Sequence, residues 1–196
     1  MNTTVTDLGQ LDLNKRYTYA DYLTWKLDEY IELIRGRIFR MSPAPSRKHQ
    51  EISINLSSLL WLAFQETNCK VFHAPFDVRL FPISDPGETH TVVQPDICVV
   101  CDPAKLDAKG CLGAPDLIVE IISRSTSKRD SQEKFALYEE AGVREYWIVI
   151  PEVDLVEVYQ LQAGKYQIRE SYGRGDHIPV GIMDGLALDT EKVFGA

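Results

Sequence analysis

The chain has 196 residues, 44% of them hydrophobic and 26% charged, the balance of a soluble globular protein with a real core. Its net charge of −8 argues against a general nucleic-acid coat protein, and no apolar run approaches the roughly 18 residues that a membrane span needs. The opening MNTTVTDLGQLDLNKR lacks a basic start followed by an apolar stretch, so it does not read as a signal peptide, and a cytoplasmic location is expected.

Residues 1–16 read as an N-terminal extension and residues 17–196 as a single domain. TYADYLTWKLDEY (residues 18–30) predicts a helix. IELIRGRIFRM (31–41) alternates around Gly36 and predicts a hairpin. SPAPS is a loop, and a longer helix follows over about residues 47–67, where Ile52, Leu56, Leu59, Leu60 and Ala63 recur at helical spacing. KVFHAPFDVRLF (70–81) reads as one strand bent at Pro75, and PISDPGETH as a polar loop. TVVQPDICVVCD reads as a strand interrupted by Pro95, and AKGCLGAP as a glycine-containing loop.

DLIVEII is a strand with two apolar faces, so it belongs in the middle of a covered sheet. STSKRDSQEKFALYEEAGV is a helix, with Ser127 and Asp130 in a capping pattern and Gly142 as its stop. REYWIVI returns as a strand, and LVEVYQLQAGKYQIRES is a hairpin turning at Ala163 and Gly164. The tail holds short apolar pieces, read as one more strand and a terminal turn. A helix between two strands implies a crossover, while the late hairpin implies antiparallel pairing. Together they give an α/β domain with a mixed sheet.

The cysteines are Cys69, Cys98, Cys101 and Cys111. Cys98 and Cys101 form a CxxC, but residues three apart on a strand face opposite sides and cannot share one zinc ion. The four are read as buried, reduced thiols. Charge is uneven along the chain. Five basic residues and no acidic ones lie between Arg35 and Lys48, namely Arg35, Arg37, Arg40, Arg47 and Lys48. They form either a local basic surface or ordinary solvated turns and helix ends.

The chemistry begins with Glu120, which falls between Ile118 and Ile122 on one face of DLIVEII. A buried carboxylate needs a partner, a proton or a metal. Asp96 leads into ICVV, and if the two strands are neighbours the carboxylates stand ~4.8 Å apart. Two carboxylates that close suit Mg²⁺ or Mn²⁺, which keep several waters and take few protein ligands. Ile122, two places on and on the same face, cannot supply a positive charge. Lys134 can, because a crossover helix runs back over the sheet and brings it towards Glu120. Asp130 is its i,i+4 neighbour.

Simpler roles stay open for each residue. Glu120 and Lys134 could form a plain buried ion pair, Asp96 could cap a turn, and Asp130 could cap its helix. Lys134 could be an exposed helix lysine, Glu32 a hairpin surface residue, and His49 a helix-end histidine. Ser123 and Ser125 to Ser127 read as loop and cap residues, since no Gly-x-Ser-x-Gly is present. Tyr138, Tyr146 and Trp147 read as core.

QPDICVV, then PDLIVEIIS, then RDSQEKFALYEEAGVREYWIVIP, preceded by IELIRGRIFRMSPAPSRKHQ, resemble the Uma2 family in order and spacing over about residues 17–185. The resemblance implies the restriction-endonuclease-like PD-(D/E)XK fold, a mixed sheet flanked by helices. It also implies Mg²⁺-dependent hydrolysis of DNA phosphodiesters. By that likeness Asp96 and Glu120 are the metal ligands and catalytic carboxylates, Lys134 replaces the lysine absent at Ile122, and Glu32 is an additional carboxylate. His49 opens a helix and is a further candidate. A homodimer fits such an enzyme. The alternatives are a catalytically inactive form that binds nucleic acid or a protein partner and, further off, a hydrolase of small phosphoesters.

Overall fold

The computed structural model describes residues 4–41, 45–82, 85–122 and 128–195, with the backbone alone for residues 86 and 128–131. In chain order the elements are α1 (Tyr19–Tyr22), β1 (Ile31–Ile34), β2 (Arg37–Arg40), α2 (Arg47–Phe64), β3 (Lys70–His73), β4 (Val78–Leu80), β5 (Thr91–Val93) and β6 (Ile97–Val100). There follow β7 (Leu106–Asp107), β8 (Gly110–Leu112), β9 (Leu117–Ile121), α3 (Lys128–Ala141), β10 (Glu145–Ile150), β11 (Leu155–Gln162), β12 (Lys165–Tyr172), β13 (His177–Pro179), β14 (Ala187–Asp189) and α4 (Thr190–Phe194).

The strands form two six-stranded sheets, ordered β2-β1-β5-β4-β8-β7 and β12-β11-β10-β9-β6-β3, with β13 and β14 as a separate ribbon. Two of the chain's changes of sheet fall at Pro75 and Pro95. Pro75 separates β3 from β4, and Pro95 separates β5 from β6. So residues 70–81 are not one bent strand but two strands in different sheets, and the break at Pro95 is likewise a change of sheet. Proline has no N–H to give a ladder, so a strand ends there and the chain is free to leave.

β9 is the centre of the second sheet. It runs parallel to β10 and antiparallel to β6. The parallel pair is joined through α3, the crossover that the sequence implies. One face of this sheet is covered by α2, whose Ile52, Leu56, Leu60 and Phe64 pack on Val99, Leu117, Val119 and Val149. Each such side chain contributes about 1.5–3 kcal/mol. On the other face Cys98, Ile118 and Tyr146 meet Leu137 and Tyr138 of α3 and Val78, Leu80 and Val93 of the first sheet. β9 therefore has two buried faces, and Glu120 shares the second with Ile118.

Local signals set several boundaries. Ser46 caps α2 by accepting from the N–H of His49. Gly142, at φ +85°, ends α3, with the Gly142 N–H on the Glu139 carbonyl and the Val143 N–H on the Tyr138 carbonyl. Arg35 and Gly36, and again Ala163 and Gly164, have positive φ, which matches the twist of the β1–β2 and β11–β12 hairpins. The caps read at Ser127 and in the Asp130 side chain lie outside the described residues.

Other elements differ from expectation. The helix expected over residues 18–30 is one turn, α1, closed by a capping box of Thr18 and Asp21. Beyond it the Lys26 N–H goes to the Val5 carbonyl, and Trp25 packs edge-on against Tyr17, so tertiary contacts take the chain out of the helix. The glycine-containing loop AKGCLGAP holds β8, which pairs with β7 and β4. The tail forms two strands and a short helix. Two of the four cysteines are not reduced: β3 lies antiparallel to β6 with Lys70 opposite Val100, which brings Cys69 against Cys101 in a disulfide. Cys98 and Cys111 are free and buried. Cys98 packs in the core on the α3 face and Cys101 on the α2 face, so the CxxC pair is split across the sheet.

Candidate functional site

The site forms where β6 and β9 meet the start of α2 and the middle of α3. Ile97 pairs with Val119 in the antiparallel ladder, and continuing that register by one sets Asp96 opposite Glu120. Asp96 Oδ2 accepts from the Ile121 N–H at 2.7 Å, which fixes the carboxylate at the strand end. Its Oδ1 lies 3.1 Å from Nε2 of His49 in the first turn of α2. Asp96 thus ties the start of α2 to β9.

Glu120 faces α3. Its Oε1 accepts from Lys134 Nζ at 2.9 Å and from the Tyr138 hydroxyl at 2.7 Å. Both donors come from one face of α3, four residues apart. The same Lys134 Nζ donates to Glu32 Oε1 at 2.9 Å, and that oxygen also accepts from the Gln94 N–H at 2.8 Å. Glu32 sits on β1 in the other sheet, so Lys134 ties the two sheets through their carboxylates. Side-chain exposure rises from Glu32 (5%) through Glu120 (10%) and Lys134 (15%) to Asp96 (18%) and His49 (19%), so the site opens on the Asp96 and His49 side.

The electrostatics follow from the count of charges. Two carboxylates share one ammonium, and a third, Asp96, stands beside them on His49. Burial raises the Glu120 carboxyl to about 7, against the pull of Lys134 and with further upward pressure from Asp96 and Glu32. Lys134 moves the other way relative to charge: Glu120 and Glu32 together outweigh its desolvation and hold it protonated. The two shifts agree once the sharing is seen, because the lysine has two carboxylates while Glu120 has only part of a lysine. His49 is raised above its ordinary value, first by its hydrogen bond to Asp96, against the opposing effect of burial. Burial pushes the Tyr138 hydroxyl well up, and it stays a donor.

Among the described residues, no three His, Cys, Asp or Glu side chains are arranged as a closed metal cage. A Mg²⁺ or Mn²⁺ ion does not need one, since it keeps several waters and takes one or two carboxylates. Asp96 and Glu120 supply that number from adjacent strands. Among the described residues the side-chain bonds to Glu120 fall on Oε1, and Oε2 is the oxygen a cation could take. The donor set and the surplus of negative charge fit a hard divalent ion.

The structure brings together Glu32, Glu120 and Lys134 in one hydrogen-bonded cluster, and places Asp96 with His49 beside it. The buried ion pair weighed for Glu120 and Lys134 is present, and Glu32 is a buried member of the cluster rather than a surface residue. The Asp130 side chain lies outside the described residues. Tyr138 reads from sequence as core, and it is fully buried, but its hydroxyl also holds Glu120. Its place four residues after Lys134 was the available signal.

Residues 19–191 match the model of the Uma2 family, described as "Putative restriction endonuclease". Two uncharacterized proteins of Synechocystis sp. are similar to the chain. One is 27% identical over 177 residues, covering 89% of each chain, and the other 29% identical over 175 residues, covering 86% of this chain and 95% of the relative. A crystal structure described as a putative nuclease belonging to DUF820, from Anabaena variabilis, superposes with a TM-score of 0.69 at 22% identity. The match covers 90% of this chain and 97% of that one. The fold is therefore that of a solved nuclease-like structure, and the chain belongs to the Uma2 family.

Proposed function

We propose that the protein is a divalent-metal-dependent endonuclease that hydrolyses DNA phosphodiester bonds, with Mg²⁺ or Mn²⁺ held by Asp96 and Glu120. The observation that carries this reading is the convergence of the two carboxylates from adjacent strands, with Glu120 and Glu32 sharing the single ammonium of Lys134 and Asp96 standing beside them on His49. Charge so unbalanced in a partly buried place is costly for stability alone and favourable for holding a cation. A bound ion of this kind polarises a phosphate and lowers the pKa of water.

The chain's own residues do the rest. Lys134 is fixed by Glu32 and Glu120, so its ammonium stands ready to offset charge that develops on the phosphate. Gln94 donates its N–H to Glu32 and holds that carboxylate in place. His49 bonds to Asp96 through Nε2 and orients that carboxylate. Arg37 and Arg40 are exposed on β2, the edge strand beside β1 and Glu32, where they can meet the phosphates of a polymer.

A second reading has its own support. Lys134 already neutralises part of the cluster, as a built-in counter-ion would, so the same fold could bind nucleic acid or a protein partner without cutting. Supercoiled plasmid with Mg²⁺ or Mn²⁺ separates the two. The nuclease reading expects nicked and linear products from the wild type and none from Asp96→Asn or Glu120→Gln. Lys134→Ala should lose on the order of 10²–10³ in rate. Intact plasmid with the wild type, or cleavage unchanged in the carboxylate variants, contradicts it.

A further inference from the structure

α2 is apolar on two sides. One side is the core stripe of Ile52, Leu56, Leu60 and Phe64. On the other, Ile54, Trp61 and Leu62 are 62%, 57% and 55% exposed. With Ser58 between them they follow i, i+4, i+7 and i+8, one continuous stripe along the helix. Beside it Ser57, Ser58, Trp61, Leu62, Val71 and His73 enclose a groove of about 380 Å³ between α2 and β3. β3 is the last strand of its sheet among the described strands, and Ser57 Oγ is buried in the groove wall with no hydrogen-bond partner. Apolar side chains gathered in this way mark a contact surface rather than scattered exposure.

We propose that a second copy of the chain docks on this face, with the two α2 helices antiparallel about a two-fold axis at Ser58. The stripe is complementary to itself in that arrangement. A two-fold at Ser58 sets Ile54 against the second copy's Leu62 and Glu51 against its Gln65. The small Ser58 falls at the crossing, where two helix axes must approach within about 8–10 Å. Charge matches as well. The exposed Arg47 at the positive, N-terminal end of α2 comes near the other helix's C-terminal end, which has exposed Glu66 beyond it and no basic residue in its last turn. A contact of this kind is isologous and closes as a dimer. A lipid surface is a poorer occupant, because Glu51 and Glu66 flank the stripe where an interfacial helix carries lysines and arginines.

Neither Ser58 nor Leu62 bonds to Asp96 or Glu120, and the test reads association directly rather than through catalysis. Sedimentation of the wild type should give twice the chain mass. Leu62→Glu should sediment as a monomer that still melts in one cooperative transition, since Leu62 is exposed in the single chain. Ser58→Cys should form an interchain disulfide under mild oxidation, because the two side chains meet on the axis. A wild type that is monomeric across the micromolar range overturns the proposal, as does a dimer indifferent to Leu62→Glu. A dimer that Leu62→Glu breaks but Ser58→Cys does not cross-link overturns the Ser58 axis.

Discussion

Two clusters of charge lie on either side of Gln94, and they are built differently. On one side Asp77 accepts from Gln94 Nε2 at 2.8 Å and from the Tyr19 hydroxyl at 3.0 Å, so neutral donors satisfy it. Beside it the buried Arg79 pairs with Asp107 at 2.6 Å and lies over the Tyr19 ring. Each charge there has a partner of its own, while Arg79 Nε is buried without a hydrogen bond among the described residues. On the other side, reached through the Gln94 N–H, Glu32 and Glu120 divide one lysine and Asp96 relies on His49 and a backbone N–H. A cluster that only stabilises the fold can be saturated. The cluster proposed to receive a cation instead gathers three carboxylates around one lysine and one histidine.

The comparison can be broken at graded cost. Lys134→Met removes the ammonium that Glu32 and Glu120 share and leaves buried carboxylates facing each other. It should destabilise the protein by about 3–5 kcal/mol, read from urea unfolding. Tyr138→Phe removes one buried hydrogen bond to a charged group. It should cost about 1.5–3 kcal/mol and leave the fold intact, as thermal melts would report.

The smallest effect belongs to the saturated side. Asp107 is held below its ordinary carboxylate value, first by the hydrogen bond from Arg79. A group with a depressed folded pKa contributes stability that is present above its unfolded pKa of about 4 and is lost as pH falls through the folded value. Asp107→Asn should therefore flatten the acid limb of the stability profile below about pH 4. It should change stability near neutrality less than Lys134→Met does, since Asp107 is 45% exposed and the asparagine oxygen can still accept from the buried Arg79. An unaltered acid limb would show that the pair carries no pH dependence.

Much of this was readable from sequence because it rests on local rules. The Gly36 and Ala163–Gly164 turns, the extent of α2, the crossover through α3 and the buried face of Glu120 all follow from turn chemistry and periodicity. So does the reach of Lys134 to Glu120, since helix rise and strand rise fix it. What was not readable depends on which strands pair. Residues 70–81 look like one strand until the two halves join different sheets. Cys69 and Cys101 are 32 residues apart, and only the β3–β6 register brings them together. The shortness of α1 depends on contacts of Lys26 and Trp25 with distant residues. Glu32 needed the second sheet to arrive beside α3 before its partner could be known.

The central claim is that Asp96 and Glu120 hold a divalent cation and the saturated cluster does not. Calorimetric titration of Mn²⁺ into the metal-free protein tests it without any substrate. The account predicts binding heat for the wild type and for Asp77→Asn, and none for Asp96→Asn or Glu120→Gln. Equal heat from the wild type and both site variants, or no heat from any of them, would contradict it.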